Sequence, residues 1–383
     1  MSGVAYTEVT ETGWFGRIGR SIKGILFGFA LLAISVFVLT MNERNAVKDI
    51  QANEEIGANV ITVANDRIDP ANEGKLVQFN GPAATDDVLK NKVFGIEENA
   101  IRLGWNAQIY QWEEDSDTKT EKKLGGGERQ ITTYTYRQKW SNERIDSSKF
   151  KEAGHDNKGG KEYQSGTVLA QNVTVGAFRL PQELIGQMSR SQEYPLAELP
   201  EALTEKGTLV GGVFYTGKPE APEIGDEKVS FSITPPGDVS IMAVQKGDSL
   251  QAYLTKSGKT KFLLSDGLMT AAQMVKAEEE KAMILRWALR GVGGLLMFIG
   301  FCLLMGPLSV LADVIPFIGS IVGGATAFVS FFLTVGIGSI VVAVSWIAFR
   351  PMIGIPLFVV GGGCFVMLLA KGIMSKGLAR SRS

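Results

Sequence analysis

Histidine and cysteine are nearly absent from this chain. There is one histidine, His155, and two cysteines, Cys302 and Cys364, in 383 residues. Both cysteines fall inside apolar C-terminal runs, so no disulfide staples the long polar stretch ahead of them. One histidine cannot build a Cys/His zinc site, and the acidic residues lack EF-hand spacing for Ca²⁺. No Gly-x-Ser-x-Gly elbow occurs, and a serine nucleophile would have only His155 as its base. Gly125-Gly126-Gly127 lacks the Lys-Ser/Thr and helix that follow a phosphate cradle. The reading is therefore non-enzymatic, with no catalytic residue, cofactor, metal or small-molecule substrate assigned.

Net charge is also small, at -1, but it is segregated. Arg17, Arg20 and Lys23 outweigh Glu8 and Glu11 at one end. Arg350, Lys371, Lys376, Arg380 and Arg382 outweigh Asp313 at the other, which leaves the acidic excess in the middle. Basic ends suit tails lying on anionic lipid. They do not suit a nucleic-acid binder, whose Lys and Arg cluster in a folded patch.

What the chain has in quantity is uncharged apolar sequence. The run Gly24 to Met41 is unbroken by charge, and at about 1.5 Å per residue it just crosses a hydrocarbon core of roughly 30 Å. Basic residues precede it and no small-residue cleavage site follows. It reads as a retained signal anchor whose N-terminal side is cytoplasmic. Residues 1–23, with Trp14, Phe15, Ile18 and Ile22 at helical spacing, read as an amphipathic lead-in. Further spans are expected at 291–312, 325–349 and 352–370, with an interfacial loop at 313–324 and a basic cytoplasmic tail at 371–383. Four crossings place both ends on one side and residues 42–290 on the other. The fold class is thus an integral membrane α-helical protein with four spans and a large β-rich α+β extracytoplasmic domain, periplasmic or lumenal.

Within 42–290, two-residue alternation marks strands at Ile101 to Tyr110 and Arg129 to Trp140. Glu113 to Glu128 between them is expected to be a long flexible hairpin tip, its acidic run solvated. Tyr110, Trp112, Tyr134, Tyr136 and Trp140 then share a hairpin face that packs on the core. Other strands are expected at 76–79, 173–179, 209–215, 229–233, 239–245 and 249–254, and a helix at 181–190. Glu73 to Val77 echoes Lys206 to Val210, which leaves a duplicated two-lobe domain and a chance recurrence both open.

The motifs resemble those of the LUMA family, also called transmembrane protein forty-three, over nearly the whole chain. The matching residues include Asn42-Glu43, Glu73-Gly74, Tyr110 and Trp112, Trp140, and Gly154-His155. Gly225-Asp226, Arg290, Asp313 and Arg350-Pro351 follow in the same order. The resemblance implies four spans, a large lumenal domain, self-association, and the organisation of other membrane protein complexes. It implies the endoplasmic reticulum or inner nuclear membrane for eukaryotic members. Asp156-Asn157-Lys158 after His155 departs from the family pattern, which commonly has proline after the asparagine. The loop around Gly319 is more apolar and glycine-rich.

The spans carry few ionisable groups, whereas transport and proton relay usually place them at mid-bilayer. Small residues are frequent instead: Gly291 with Gly294, Gly319, Gly323 and Ala327 at four-residue spacing, and Gly336. Such positions let helices approach within a bundle or between subunits. The expectation is a self-associating scaffold whose partners are lipid, copies of itself and other membrane proteins. Its membrane is expected to be a bacterial inner membrane, or the endoplasmic reticulum or inner nuclear membrane in a eukaryote. The rival readings are an oligomeric pore and an ectodomain enzyme using carboxylates such as Glu73, Glu113 or Asp226.

Overall fold

The computed structural model describes residues 5–347, 351–363 and 366, which form two compact units. The first holds residues up to Thr7, 52–117 and 133–277; the second holds 8–51, 118–132 and the chain from Glu278.

The first unit is built on strands whose apolar residues alternate. β1 is Ala5–Thr12, β2 Leu76–Ala84, β3 Arg102–Lys122, β4 Glu128–Ser141 and β5 Gly166–Leu169. β6 is Thr208–Val210, β7 Val213–Tyr215, β8 Glu227–Thr234, β9 Gly237–Lys246, β10 Ser249–Gln251 and β11 Leu263–Asp266. One sheet runs β1-β4-β3-β8-β7-β6, with β5 added on β3. The other is centred on the antiparallel pair β2-β9, registered Phe79 opposite Ile241, with β10 and β11 beside β9. Leu103, Ala107, Val229 and Phe231 from one sheet share a single core with Val77, Phe79, Val239 and Ile241 from the other. Burying their apolar faces against each other is what holds the two layers together.

Both echoing segments feed this core, Val77 within it and Leu209 packed against it. The two echoing segments open unlike elements, the nine-residue β2 and the three-residue β6. The segment 209–215 is a tight hairpin, β6-β7, because Gly211 and Gly212 turn the chain with φ of 59° and 79°. Only Gln182–Ile185 of the expected helix at 181–190 is helical.

The second unit is helical apart from the end of β1 and the hairpin tip 118–132. α1 is Trp14–Asn59, α2 Ala271–Ala312 and α3 Pro316–Ile347, each long and apolar enough to cross a membrane. α1 carries the amphipathic lead-in and the first span as one helix. α2 likewise continues from the charged segment before residue 291, as its periodicity suggests. The expected interfacial loop 313–324 is instead a short turn, with α3 starting at Pro316, where the fixed φ of proline suits a first helical turn. The fourth expected span is described over Pro351–Gly363 only (α4), about 20 Å of helix and short of a crossing. α4 doubles back on α3: a Cβ on Gly361 would lie 2.8 Å from the Gly336 carbonyl. Arg350 and the basic tail 371–383 lie outside the described residues.

The helices meet through glycines and a few large apolar side chains. On α1, Gly28, Ser35 and Leu39 are buried while Leu26, Phe27, Phe29 and Phe37 face outward. On α2, Gly293, Met297, Gly300 and Phe301 face inward. A Cβ on Gly28 would stand 2.9 Å from the Gly300 carbonyl, and one on Gly293 would stand 2.7 Å from Leu39. Glycines at the helix contacts and bulky apolar side chains turned outward as well as inward suit helices whose solvent is lipid.

The hairpin tip departs from expectation. β3 runs to Lys122 and β4 begins at Glu128, so the turn is only Lys123 to Gly127. Cross-strand pairs hold the arms: Thr118 with Thr132 at 2.9 Å, and Arg137 with Glu113 and Asp115 at 2.7 and 3.1 Å.

Candidate functional site

Two polar clusters close the helical unit, one at each end of its apolar length. At the first, Glu43 follows the apolar run of α1 directly and is fully buried. Arg290 of α2 donates to it through Nε and Nη2, both at 2.7 Å, and the Trp346 indole of α3 donates at 2.5 Å. Asn42 donates to Glu43 at 3.2 Å and to the Arg286 carbonyl at 3.3 Å. Arg290 also lies over the Trp287 ring, 4.8 Å from its centroid. One carboxylate therefore ties three helices, and two donors to each oxygen offset the cost of burying it.

At the other end, Asp313, in the turn between α2 and α3, is buried and accepts from Arg17 of α1 at 2.5 Å and from Lys122 of β3 at 2.7 Å. Arg17 donates further to the Gly126 carbonyl at 2.6 Å and pairs with Glu128 at 3.0 Å. Arg20 reaches the second oxygen of Glu128 at 2.7 Å. Gly126 has φ 80°, and a Cβ there would meet the Trp14 ring at 2.3 Å, so only glycine lets the tip seat. A Cβ on Gly319 would collide with Asp313.

This cluster joins segments that the expected topology keeps apart. Arg17 was placed on one side of the membrane and residues 42–290 on the other, yet Gly126 and Lys122 bond to Arg17 and Asp313. The tip and the N-terminal end of the first apolar run stand at one level. Sequence reasoning passed over Glu43, Glu128, Trp346 and Arg17 as site residues. The available signal was a lone carboxylate, Glu43, set against the end of an apolar run.

The motif residues within the β-rich unit hold loops. The Asn157 side chain accepts from Trp112 N at 2.7 Å and donates to the carbonyls of Trp112 and Ile145, clamping the loop 142–157 onto β3. That role belongs to the asparagine of the departing Asp156-Asn157-Lys158 triplet. His155 stacks on Tyr136, centroids 3.9 Å apart, and meets Trp112 edge-on at 4.6 Å. Tyr136 donates to Glu114 at 2.6 Å and accepts from Glu152 N at 2.9 Å. The Tyr110 and Trp140 rings meet at a tilt, their centroids 5.2 Å apart. Gly225, φ 103°, donates to the Tyr110 carbonyl, and the neighbouring Asp226 carbonyl accepts from Tyr110 N. Gly74, φ 73°, turns into β2.

Burial raises the pKa of Tyr163 and of Tyr253, the latter further through its hydrogen bond to Glu55. The three carboxylates of the enzyme reading are not bonded to one another. Glu73 accepts from Gly247 N, Glu113 is paired with Arg137 and Lys139, and Asp226 accepts from Glu223 N. Among the described residues no group of three His, Cys, Asp or Glu could hold a metal ion.

Of the expected packing glycines, Gly319, Gly323 and Gly336 pack within the chain, against Asp313, Ser309 and α4 respectively. Ala327 is half-buried. Gly291 and Gly294 meet nothing within 4 Å.

A family model described as Transmembrane protein 43 matches residues 109–351, a span that holds Tyr110, Trp112, Gly126, Glu128, Trp140, Arg290, Asp313 and Trp346. The chain belongs to the Transmembrane protein 43 family. It is similar to Transmembrane protein 43 of mouse, 29% identical over 364 residues covering 91% of this chain and 90% of the relative. The human protein is 28% identical over 358 residues, covering 90% and 88%. The Drosophila melanogaster homolog of Transmembrane protein 43 is 27% identical over 350 residues, covering 89% and 93%. No solved structure matches. Membership of this family and three apolar helices make the chain a multi-pass membrane protein with a large β-rich domain. The relatives named are animal proteins, and they lend the bacterial inner-membrane expectation no support.

Proposed function

We propose that this chain is a non-enzymatic, self-associating membrane scaffold. Copies assemble through their helices, and the β-rich domain is left to engage other membrane proteins. The observation that carries this reading is the contrast between glycines of one helix. Gly293 and Gly300 are taken up in packing α2 on α1, whereas Gly291 and Gly294, on another face, stand open. In lipid, where no hydrophobic force joins helices, open small residues are where a second backbone approaches closely. The organising role that the family resemblance implies agrees with this.

Light scattering of the intact protein in detergent and in lipid nanodiscs tests the proposal. The wild type should run as a multimer, and the double variant Gly291→Leu, Gly294→Leu should shift toward monomer with unchanged thermal stability. A wild type monomeric in both media overturns the reading, as does a double variant that associates like the wild type.

A further inference from the structure

Within the β-rich unit, the sheet built on β3 and β8 turns one face to the core and one face away from it. Leu103 and Ala107 of β3, with Val229 and Phe231 of β8, point into the core. Side chains alternate along a strand, so Gly104 and Asn106, with Ser230 and Ser232, stand on the outer face. Strand register extends that face sideways. Thr167 of β5 lies opposite Gly104, Gly104 opposite Ser232, and Ser232 opposite Glu193 of the two-residue strand Gln192–Glu193. Thr167, Gly104, Ser232 and Glu193 therefore form one row across four strands, about 14 Å long at ordinary strand spacing. Asn106 and Ser230 form the row beside it.

These rows floor a depression of about 450 Å³, rimmed by Pro195, Gly212 and Val213. Small-ligand sites run from roughly 300 to 1,000 Å³. Among the described residues, the side chains of Thr167, Glu193, Ser230 and Ser232 hold no hydrogen bond or ion pair. A Cβ on Gly104 would come within 3.0 Å of Ser232 Oγ, so a larger residue there would fill the floor. No lysine or arginine lines the depression, and Glu193 is its one charge. A phosphate, sulfate or carboxylate would find no cation there to pair with. Lys228, two residues away on β8, is turned onto the Trp140 ring, 4.8 Å from its centroid. Hydroxyls that both donate and accept, beside a carboxylate that only accepts, complement a neutral ligand rich in hydroxyls. Further along the same face, Tyr110 of β3 and Tyr215 of β7 flank Trp140 of β4, with centroids 5.2 and 6.1 Å from it. The negative face of an aromatic ring attracts the C–H side of a sugar. Four residues of β3 separate Asn106 from Tyr110, about 13 Å of strand.

We propose that the outer face of this sheet binds a neutral saccharide. Thr167, Glu193, Ser230 and Ser232 hydrogen-bond the hydroxyls of one sugar, and the aromatic wall of Tyr110, Trp140 and Tyr215 receives the next sugar of a chain. A free oligosaccharide and a glycan carried by another protein share this chemistry. The site uses no residue of the helices, so it stands or falls separately from self-association.

Saturation-transfer NMR of the full chain in phosphatidylcholine nanodiscs, free of glycoside detergent, tests it. The probes are glucose, galactose, mannose, N-acetylglucosamine, maltose and glucuronate, with a mannose-rich glycoprotein measured before and after enzymatic removal of its glycan. At least one neutral sugar should receive saturation, and glucuronate should receive much less. Glu193→Gln and Ser232→Ala should each weaken the best sugar, Glu193→Gln by about tenfold. Their unfolding midpoints should match the wild type, because neither side chain has a partner to lose. Tyr215→Leu should weaken maltose and leave glucose unchanged. Binding of the glycoprotein that disappears with its glycan assigns the source to protein-borne sugar; binding of the free sugars alone assigns it to them. Silence from every probe overturns the site, as does glucuronate binding as well as glucose. Saturation that Glu193→Gln and Ser232→Ala leave unchanged also overturns it, and maltose binding untouched by Tyr215→Leu removes the aromatic wall.

Discussion

The indole nitrogen of Trp346 donates to a carboxylate oxygen of Glu43 at 2.5 Å across 303 residues of chain. Arg290 grips the same carboxylate from a third helix. Three helices that lipid alone would not hold together are registered by one charge.

Removing that charge should loosen the helical unit. Glu43→Ala leaves Arg290 without its partner, and breaking a buried pair costs about 3–5 kcal/mol. Thermal unfolding in detergent should show a clear fall for Glu43→Ala. The double variant Glu43→Ala, Arg290→Leu should recover part of the loss. An unchanged midpoint for the single variant would contradict the role given to Glu43.

Gly28→Leu should separate α1 from α2, since even a Cβ there would press on the Gly300 carbonyl. Overpacking of this kind costs about 1–3 kcal/mol. Gly291→Ala, facing open space, should leave the monomer's stability unchanged. Comparing the two unfolding midpoints checks the assignment of inward and outward faces.

Asn157→Ala removes one acceptor and two donors that pin the loop 142–157 to β3. Each buried group left unsatisfied costs about 1–3 kcal/mol. Hydrogen exchange should rise in residues 142–157 while β2 and β9 stay protected. Equal acceleration in both regions would mean that the loop is not a separate unit.

Asp266 gives the β-rich domain an acid-sensitive joint. Burial pushes its pKa up, but hydrogen bonds from Ser189 and from Arg190 N outweigh burial and hold it below the ordinary 3.8. A lowered folded-state pKa stabilises the fold above the ordinary value, and that contribution is lost as pH falls through the folded-state value. Asp266→Asn should therefore lower the unfolding midpoint at pH 7 and flatten its decline below about pH 4. An acid limb identical to that of the wild type would rule out Asp266 as its source.

Much of the helical unit was legible because apolar runs and helical spacing act locally. The continuity of α1 from Trp14 through the first span, and of α2 from the charged segment into the second, could be read from periodicity. The break at Asp313 and Pro316 was equally plain. The strands β2, β3, β4, β8 and β9 followed from alternation at the expected places. The acidic part of the tip is exposed, as its composition suggests, but where the tip seats is not legible in it. Its order comes from Trp14, Arg17 and Asp313, the last of them nearly 190 residues away in sequence. The hairpin β6-β7 reads as one strand in the sequence, because Gly211-Gly212 turns the chain within a continuous apolar stretch.

By itself the sequence determined which stretches must avoid water and which must pair as strands, because burial pattern and backbone geometry repeat over a few residues. It also determined the family, through motifs kept in order. Only the tertiary structure decided that Glu43, Arg290 and Trp346 meet, that Gly28 and Gly300 close the bundle while Gly291 stays open, and that Gly126 rests on Arg17. Those pairings depend on how helices and strands return to one another over hundreds of residues, and no local periodicity carries that information.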